Sequence, residues 1–230
     1  MRKLMFIFLL LLTGCVNKES LKKEIISELS NDPAFITDII GSTSEYATNC
    51  TVSIKNNFSI DKESIGTGII FERTDNGYLV LTNEHVIRYA SSLEVITNNL
   101  HITPEVLKED SELDLAILEL ETDEELSVCQ INPVVYTIGE PIISVGTSTS
   151  LEYANTVTLG IVSRIDDAFI QHDASINNGS SGGAIFSLKR EVIGLNVSKI
   201  NSSVSGNEMI FVEGMSFSIK NETLVDFIND

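Results

Sequence analysis

Tryptophan is absent from this chain, and cysteine, histidine and proline are scarce, with three, three and four copies in 230 residues. Three cysteines with no CxxC pair and no Cys/His group at zinc spacing exclude a zinc finger or ribbon, so no metal and no cofactor are expected. Basic residues are also in short supply. Fifteen Lys and Arg stand against 33 Asp and Glu, a formal net charge of −18, which excludes nucleic acid as a partner because phosphate binding needs the opposite sign. The acidic run at 119–125 lacks the glycine and alternate ligand spacing of a calcium loop. What is plentiful is apolar. Hydrophobic residues make up 43% of the chain, enough to bury one globular unit or two fused halves sharing a continuous core.

Residues 1–14 place Arg2 and Lys3 before an apolar run at 4–12, too short to span a bilayer and read as a signal-peptide core. Its ending, Leu12-Thr13-Gly14-Cys15, resembles a bacterial lipobox, which implies lipidation of Cys15 and tethering to a membrane of the cell envelope, facing the periplasm or the exterior. Residues 15–45 then read as a polar helical spacer. Leu21, Ile25, Ile26 and Leu29 lie at helical spacing, a break falls near Asp32-Pro33, and Phe35, Ile36, Ile39 and Ile40 form a second apolar set able to dock on the domain that follows. An oligomerisation arm is the alternative use of this segment, so homo-oligomerisation stays open.

From residue 46 the pattern changes to short β-like runs separated by turns: 51–54, 66–72, 77–81, 93–97 and 113–120, then 134–145, 157–165, 168–175, 184–188, 191–200 and 209–218. Asp75-Asn76-Gly77 is a hairpin signal. Residues 221–230 read as a closing helix with Leu224, Val225 and Ile228 inward.

The stretch 173–186, DASINNGSSGGAIF, organises the rest. So many glycines weaken any strand or helix, and they are useful where backbone must approach a ligand closely. Ile176 before the loop, and Ala184, Ile185 and Phe186 after it, wedge it between buried segments, where a flexible linker would sit in polar sequence. A serine there, Ser181, suits acyl transfer, with the Gly179 and Ser181 N–H groups as an oxyanion hole. A serine nucleophile needs a base, and the base needs an orienting carboxylate. Of the three histidines, His85 lies at a strand-to-helix junction, whereas His101 and His172 lie in strand-like stretches and read as ordinary surface or half-buried residues. Asp114 enters the apolar run 115–118, where an unpartnered charge would cost several kcal/mol.

The order His85, Asp114, Ser181 is that of chymotrypsin-like proteases. GTGIIF at 66–71, LTNEHVI at 81–87, DLAILEL at 114–120, TLGIVSRI at 158–165 and the 173–186 stretch resemble the corresponding blocks of the HtrA/Deg family. The resemblance covers roughly residues 45–228 and departs at Asn178, where proline is usual, and at Ser180, where asparagine is usual. Neither departure removes a catalytic group. The resemblance implies an all-β fold, a chymotrypsin-like double β-barrel with a short N-terminal helical segment and a C-terminal helix, over residues 46–230, with barrel one at about 46–121, barrel two at about 130–220, and no room for a PDZ domain. It implies a membrane-anchored serine endopeptidase acting on proteins or peptides through His85, Asp114 and Ser181. Its specificity pocket would lie near Ser175, Ile176 and Asn177, and the strand Val197, Ser198 and Lys199 would pair with substrate backbone. Ile176 favours a small or medium aliphatic P1 residue. Ser180, uncharged before the nucleophile, offers nothing to a freed N-terminal amine, so activation by zymogen cleavage of that kind is not expected. Cys50 and Cys129 form a candidate disulfide, with two buried thiols as the alternative. The rival functions are a catalytically silent peptide-binding lipoprotein on the same fold, and a glutamyl-endopeptidase-like enzyme with His172 in its pocket.

Overall fold

The computed structural model describes residues 33–59, 62–98, 100–199, 202–205, 208–211 and 214–230. The expectations for the leader, for Cys15 and for the helix over residues 21–29 lie outside them. The chain divides into two compact units, residues 1–41 and 42–230. Helix α1 (Pro33–Asn49) begins in the first unit, at the proline where a break was expected, and continues past residue 45 into the second. There its last turns are buried: Thr43 donates to Leu188 O (3.3 Å), and Tyr46 meets Phe186 edge-on with ring centroids 6.4 Å apart.

Barrel one is a curled antiparallel sheet of β1 (Thr51–Ser59), β2 (Lys62–Arg73), β3 (Gly77–Thr82), β4 (Ser92–Thr97), β5 (Leu100–Ile102), β6 (Glu105–Asp110) and β7 (Leu115–Glu121), in the order β5-β4-β1-β2-β3-β7-β6. Strand β5 is the short stretch around His101, whereas β6 lacks apolar alternation and was not expected; the two form the sheet edges, where charge is tolerated and helps prevent edge pairing. The 75–77 turn closes the β2–β3 hairpin, with Thr74 N–H donating to Gly77 O at 2.9 Å. A Cβ at Gly77 would lie 1.8 Å from Leu120 O, so the approach of β7 requires glycine there. Ile54, Ile70, Tyr78, Val80, Leu118 and Leu120 fill the centre. A short helix, α2 (Glu84–Ile87), leaves the end of β3.

Barrel two is a closed barrel of β8 (Pro141–Gly146), β9 (Thr156–Ile165), β10 (Phe169–His172), β11 (Ala184–Ser187) and β12 (Val192–Lys199), completed after the hairpin β13 (Ser202–Ser205) and β14 (Glu208–Phe211) by β15 (Ser216–Lys220). The expected strand over 134–145 starts only at Pro141, and the one over 209–218 is divided between β14 and β15. Helix α3 (Asn221–Asn229) closes the chain. Leu224 and Phe227 are its buried apolar residues, in place of the expected set with Val225 and Ile228, which are half-buried. It fastens both barrels. Asn221 Nδ2 donates to Val192 O (2.8 Å), while Lys108 Nζ, from β6, donates to Phe227 O (2.6 Å) and sits over the Phe227 ring.

Cys50 and Cys129 are joined as a disulfide with Cα atoms 5.6 Å apart across 79 residues, linking the start of β1 to the connection between barrels. Ile70 seals the junction, donating to Cys50 O (2.8 Å) and accepting from Cys129 N–H (2.9 Å). A bridge closing so long a loop removes much unfolded-chain entropy, so replacing both cysteines by serine is expected to lower stability by about 2–4 kcal/mol. An unchanged urea midpoint would contradict that.

A buried polar chain runs through barrel two. Asn196 Nδ2 donates to Ser144 Oγ (2.9 Å), Ser218 Oγ donates to Asn196 Oδ1 (3.0 Å), and His172 Nε2 lies 3.1 Å from Ser218 Oγ. Ser218 has spent its proton, so the His172 ring carries its hydrogen on Nε2, leaving Nδ1 buried without a partner among the described residues. Far from the half-buried position expected, His172 is fully enclosed, and burial is the main cause that brings its pKa down to about 4. The unfolded chain keeps the ordinary value near 6.5. Between about pH 6.5 and 4 the unfolded state therefore binds a proton that the folded state refuses, so this contribution is complete above the window and is lost as pH falls through it. Urea unfolding of His172→Gln should lose up to ~1.4 kcal/mol per pH unit of the wild-type slope in that window. Parallel curves for the two proteins would contradict it.

Candidate active site

The site grows from three chain segments that the barrels bring to one rim. In LTNEHVI, Asn83 ends the strand and His85 sits on the first turn of α2, held there as Arg88 grips the Glu84 carboxylate one turn away (Nε to Oε2 2.8 Å). The second segment leaves β6 through a turn in which Asp110 Oδ1 accepts the Glu112 and Leu113 N–H groups at 2.8 and 2.9 Å. It reaches Asp114 with φ +55°, a left-handed conformation costly for a residue with a Cβ. This kink is why β7 starts at Leu115, two residues later than the sequence pattern suggested. Hydrogen bonds hold the kink: Asn83 Nδ2 donates to Asp114 O (2.9 Å), and His85 N–H donates to Asp114 Oδ1 (2.9 Å). The carboxylate also receives the imidazole, with His85 Nδ1 at 3.0 Å from Oδ1 and 2.8 Å from Oδ2. A carboxylate can only accept, so Nδ1 carries the hydrogen and Nε2 is left as a base.

The third segment is the glycine-rich loop. Gly182, at φ +83°, lies so close to barrel one that a Cβ would be 2.0 Å from Thr67 O and 2.4 Å from Thr82 Oγ1. Thr82 is three residues before His85, so the loop bearing Ser181 rests against the strand end from which His85 emerges. Ser181 N–H and Gly179 N–H have no acceptor among the described residues, and both residues are half-buried. The Ser181 hydroxyl donates to Val197 O (3.0 Å), at the bulge where β12 slips register against β15. His85 and Asp114 are thus in direct contact, and the serine hydroxyl has a different acceptor.

The neighbouring loop is fastened on several sides. Asp173 Oδ1 accepts Ile161 N–H (2.7 Å), Thr158 Oγ1 donates to Ser175 O (2.9 Å), and Ser216 Oγ donates to Ala174 O (3.0 Å). Ser175 and Asn177 are exposed, whereas Ile176 is only 6% exposed. The backbone at Ser198 and Lys199 pairs with β15. His172, enclosed and neutral down to about pH 4, brings no positive charge for an acidic substrate side chain. Among the described residues no group of three His, Cys, Asp or Glu could hold a metal.

Four buried hydroxyls around this site were missed in the sequence: Ser53, Thr67, Thr82 and Thr147. A signal was available for one of them. Thr67 is a polar residue between two glycines in a strand that is otherwise isoleucine and phenylalanine at its buried end.

Known proteins resemble this chain in sequence and fold. Residues 66–195 match the Trypsin-like peptidase domain family. The Serine protease Do-like HtrA of Lactococcus lactis subsp. cremoris is 34% identical over 189 residues, covering 75% of this chain and 46% of its own length. Serine endoprotease DegS of Haemophilus influenzae is 30% identical, covering 78% of this chain and 52% of its own. The crystal structure of the serine endoprotease from Yersinia pestis superposes with a TM-score of 0.69 at 29% identity, over 82% of this chain and 65% of that one. The chain therefore spans about half the length of the curated relatives it matches. With two barrels meeting at this rim and the family match spanning most of both, the chain belongs to the trypsin-like peptidase family, in its HtrA-like branch.

Proposed function

We propose that the protein is a serine endopeptidase that cleaves peptide bonds of proteins through an acyl-enzyme. The observation that carries this reading is the His85–Asp114 pair, at 2.8 Å, on the rim against which the glycine loop presents Ser181 and two N–H groups without acceptors among the described residues. In the proposed reaction Ser181 Oγ attacks the scissile carbonyl carbon as its proton passes to His85 Nε2. Asp114 holds the tautomer that makes Nε2 a base and stabilises the imidazolium that forms. The carbonyl oxygen, now negative, takes hydrogen bonds from Gly179 and Ser181 N–H, each worth ~3–4 kcal/mol in the transition state. His85 then returns the proton to the leaving amine, and water, activated by the same base, releases the acyl group.

The hydrogen bond from Ser181 to Val197 O favours, at first sight, a silent binding protein. Its magnitude argues otherwise. A single neutral hydrogen bond contributes about 1 kcal/mol net, so turning the hydroxyl toward His85 would cost less than tenfold in rate. A substrate strand pairing with the backbone at 197–199 also brings N–H donors that compete for Val197 O, freeing the hydroxyl as the peptide arrives. The relatives support proteins as the substrates. They also support an envelope location, as one matching protein is the Probable periplasmic serine endoprotease DegP-like of Hahella chejuensis. The lipobox-like ending at Cys15 supports lipid anchoring there.

Labelling with an alkyl fluorophosphonate, followed by mass-spectrometric mapping, should place the adduct on Ser181. Ser181→Ala should take no label and lose casein cleavage, and Asp114→Asn should cleave about 10⁴-fold more slowly through loss of the correct tautomer. Casein cleavage retained by a clean Ser181→Ala preparation would overturn the reading.

A further inference from the structure

We propose that Thr67 is a positioning residue for the reaction: a barrel-one side chain that sets the peptide planes of the Gly179–Ser181 loop in barrel two. The inference rests on the reading of Gly179 and Ser181 N–H as the oxyanion donors. Thr67 is on β2, 0% exposed. Valine has nearly the same shape and would suit a buried strand better, so the hydroxyl needs an explanation.

Each polar atom of Thr67 is engaged. Its hydroxyl donates to Gly179 O (2.7 Å) and accepts from Thr147 N–H (2.8 Å). Its N–H donates to Ser181 O (2.8 Å), and its carbonyl accepts from Thr82 Oγ1 (2.7 Å). A trans peptide is planar, so fixing a carbonyl fixes the N–H of the next residue in the opposite direction. Four successive planes of the loop are fixed in this way. Asn178 O is held by Thr149 N–H (2.6 Å), Gly179 O by the Thr67 hydroxyl, Ser180 O by Gly183 N–H (3.0 Å) and Ser181 O by Thr67 N–H. The first and third of these planes carry the Gly179 and Ser181 N–H groups, which are turned away from their held carbonyls.

Among these four clamps the Thr67 hydroxyl is the one supplied by a side chain. It also reaches the first plane indirectly, because it holds Thr147 N–H, and Thr147 lies two residues before Thr149, itself at φ +61°. Thr147 is secured on its other side by Ser53, with hydroxyl oxygens 2.6 Å apart. Removing one hydroxyl therefore takes one of two bonds from the second plane, leaving it held only by Ser180 N–H to Asn177 O (2.9 Å) inside the loop, and weakens the hold on the first, the plane bearing the Gly179 donor. The Ser180 hydroxyl, accepting Asn177 N–H at 3.2 Å, acts only within the loop.

The test compares Thr67→Val, Thr67→Ser and Thr82→Val with the wild type. Thr82→Val is the control for burial, since it also deletes a buried hydroxyl from this network but leaves the bond to Gly179 O intact. Thr67→Val should slow fluorophosphonate labelling of Ser181 by about 10–100-fold, as expected for displaced donors, with Thr67→Ser and Thr82→Val within about threefold of wild type. Amide exchange of residues 177–183, followed without any reagent, should quicken about tenfold in Thr67→Val alone. Equal losses in Thr67→Val and Thr82→Val, a Thr67→Ser as slow as Thr67→Val, or a Thr67→Val matching wild type in both measurements would overturn the proposal. If Thr67→Val does not fold, Thr67→Cys, similar in size and a weaker donor, carries the comparison: slower labelling and faster exchange support the role, and wild-type values overturn it. Wild-type protein that takes no label would defeat the protease reading, while the exchange comparison would still decide for or against Thr67.

Discussion

Two backbone N–H groups, on Gly179 and Ser181, have no acceptor among the described residues in a loop that is otherwise densely hydrogen-bonded, and much of the surrounding structure serves to keep them so. A free donor readily turns to a nearby carbonyl, because leaving it unpaired in a partly dry place costs on the order of 1–3 kcal/mol. Here that turn is blocked. The carbonyls behind the two donors are taken by Thr149 and Gly183, and the two between and after them by Thr67. The Thr67 bonds cross from one barrel to the other and tie together residues 112 positions apart. Neither barrel by itself contains the completed loop.

Barrel one also holds His85 and the carboxylate paired with it, at the expense of some local strain. Asp114 adopts a conformation that costs of order 1–3 kcal/mol for a residue of its kind. In return its backbone carbonyl meets Asn83 and its carboxylate meets both the N–H and the ring of His85. Such charge-assisted contacts contribute about as much as the strain costs. The kink therefore belongs to the orientation of the imidazole. The disulfide and α3 act on a larger scale, fastening the connection between barrels and the outer strand β6 so that the two halves of the rim keep their spacing.

Much of this was legible in the sequence where the signal was local. Apolar alternation marked β1–β4 and β7 because each has one face in a core. Asp75-Asn76-Gly77 marked its turn because the glycine there has no room for a side chain. The order of His85, Asp114 and Ser181, within blocks of family resemblance, marked the rim. The misses have equally physical causes. Strand β6, Glu105–Asp110, lies at a sheet edge and buries too little to show a period. The apolar residues at 134–138 resemble a strand, but Val135 is 87% exposed and no partner strand reaches it among the described residues. Thr67 gave little away because its role is exercised across space on a loop in the other barrel, which no window along the chain can register. Of the two departures, the one at Ser180 acquires a meaning only in three dimensions, its hydroxyl closing the turn on Asn177, while the one at Asn178 has no structural explanation.

A loop clamped in this way should already present both donors to a developing oxyanion. A crystal structure of the phosphonate adduct of Ser181 tests this most directly. The phosphoryl oxygen is expected within hydrogen-bonding distance of both Gly179 and Ser181 N–H, with the Thr67 to Gly179 bond retained and Ser181 Oγ withdrawn from Val197 O toward His85. A phosphoryl oxygen directed to solvent, with the Gly179 N–H turned into the protein, would contradict it.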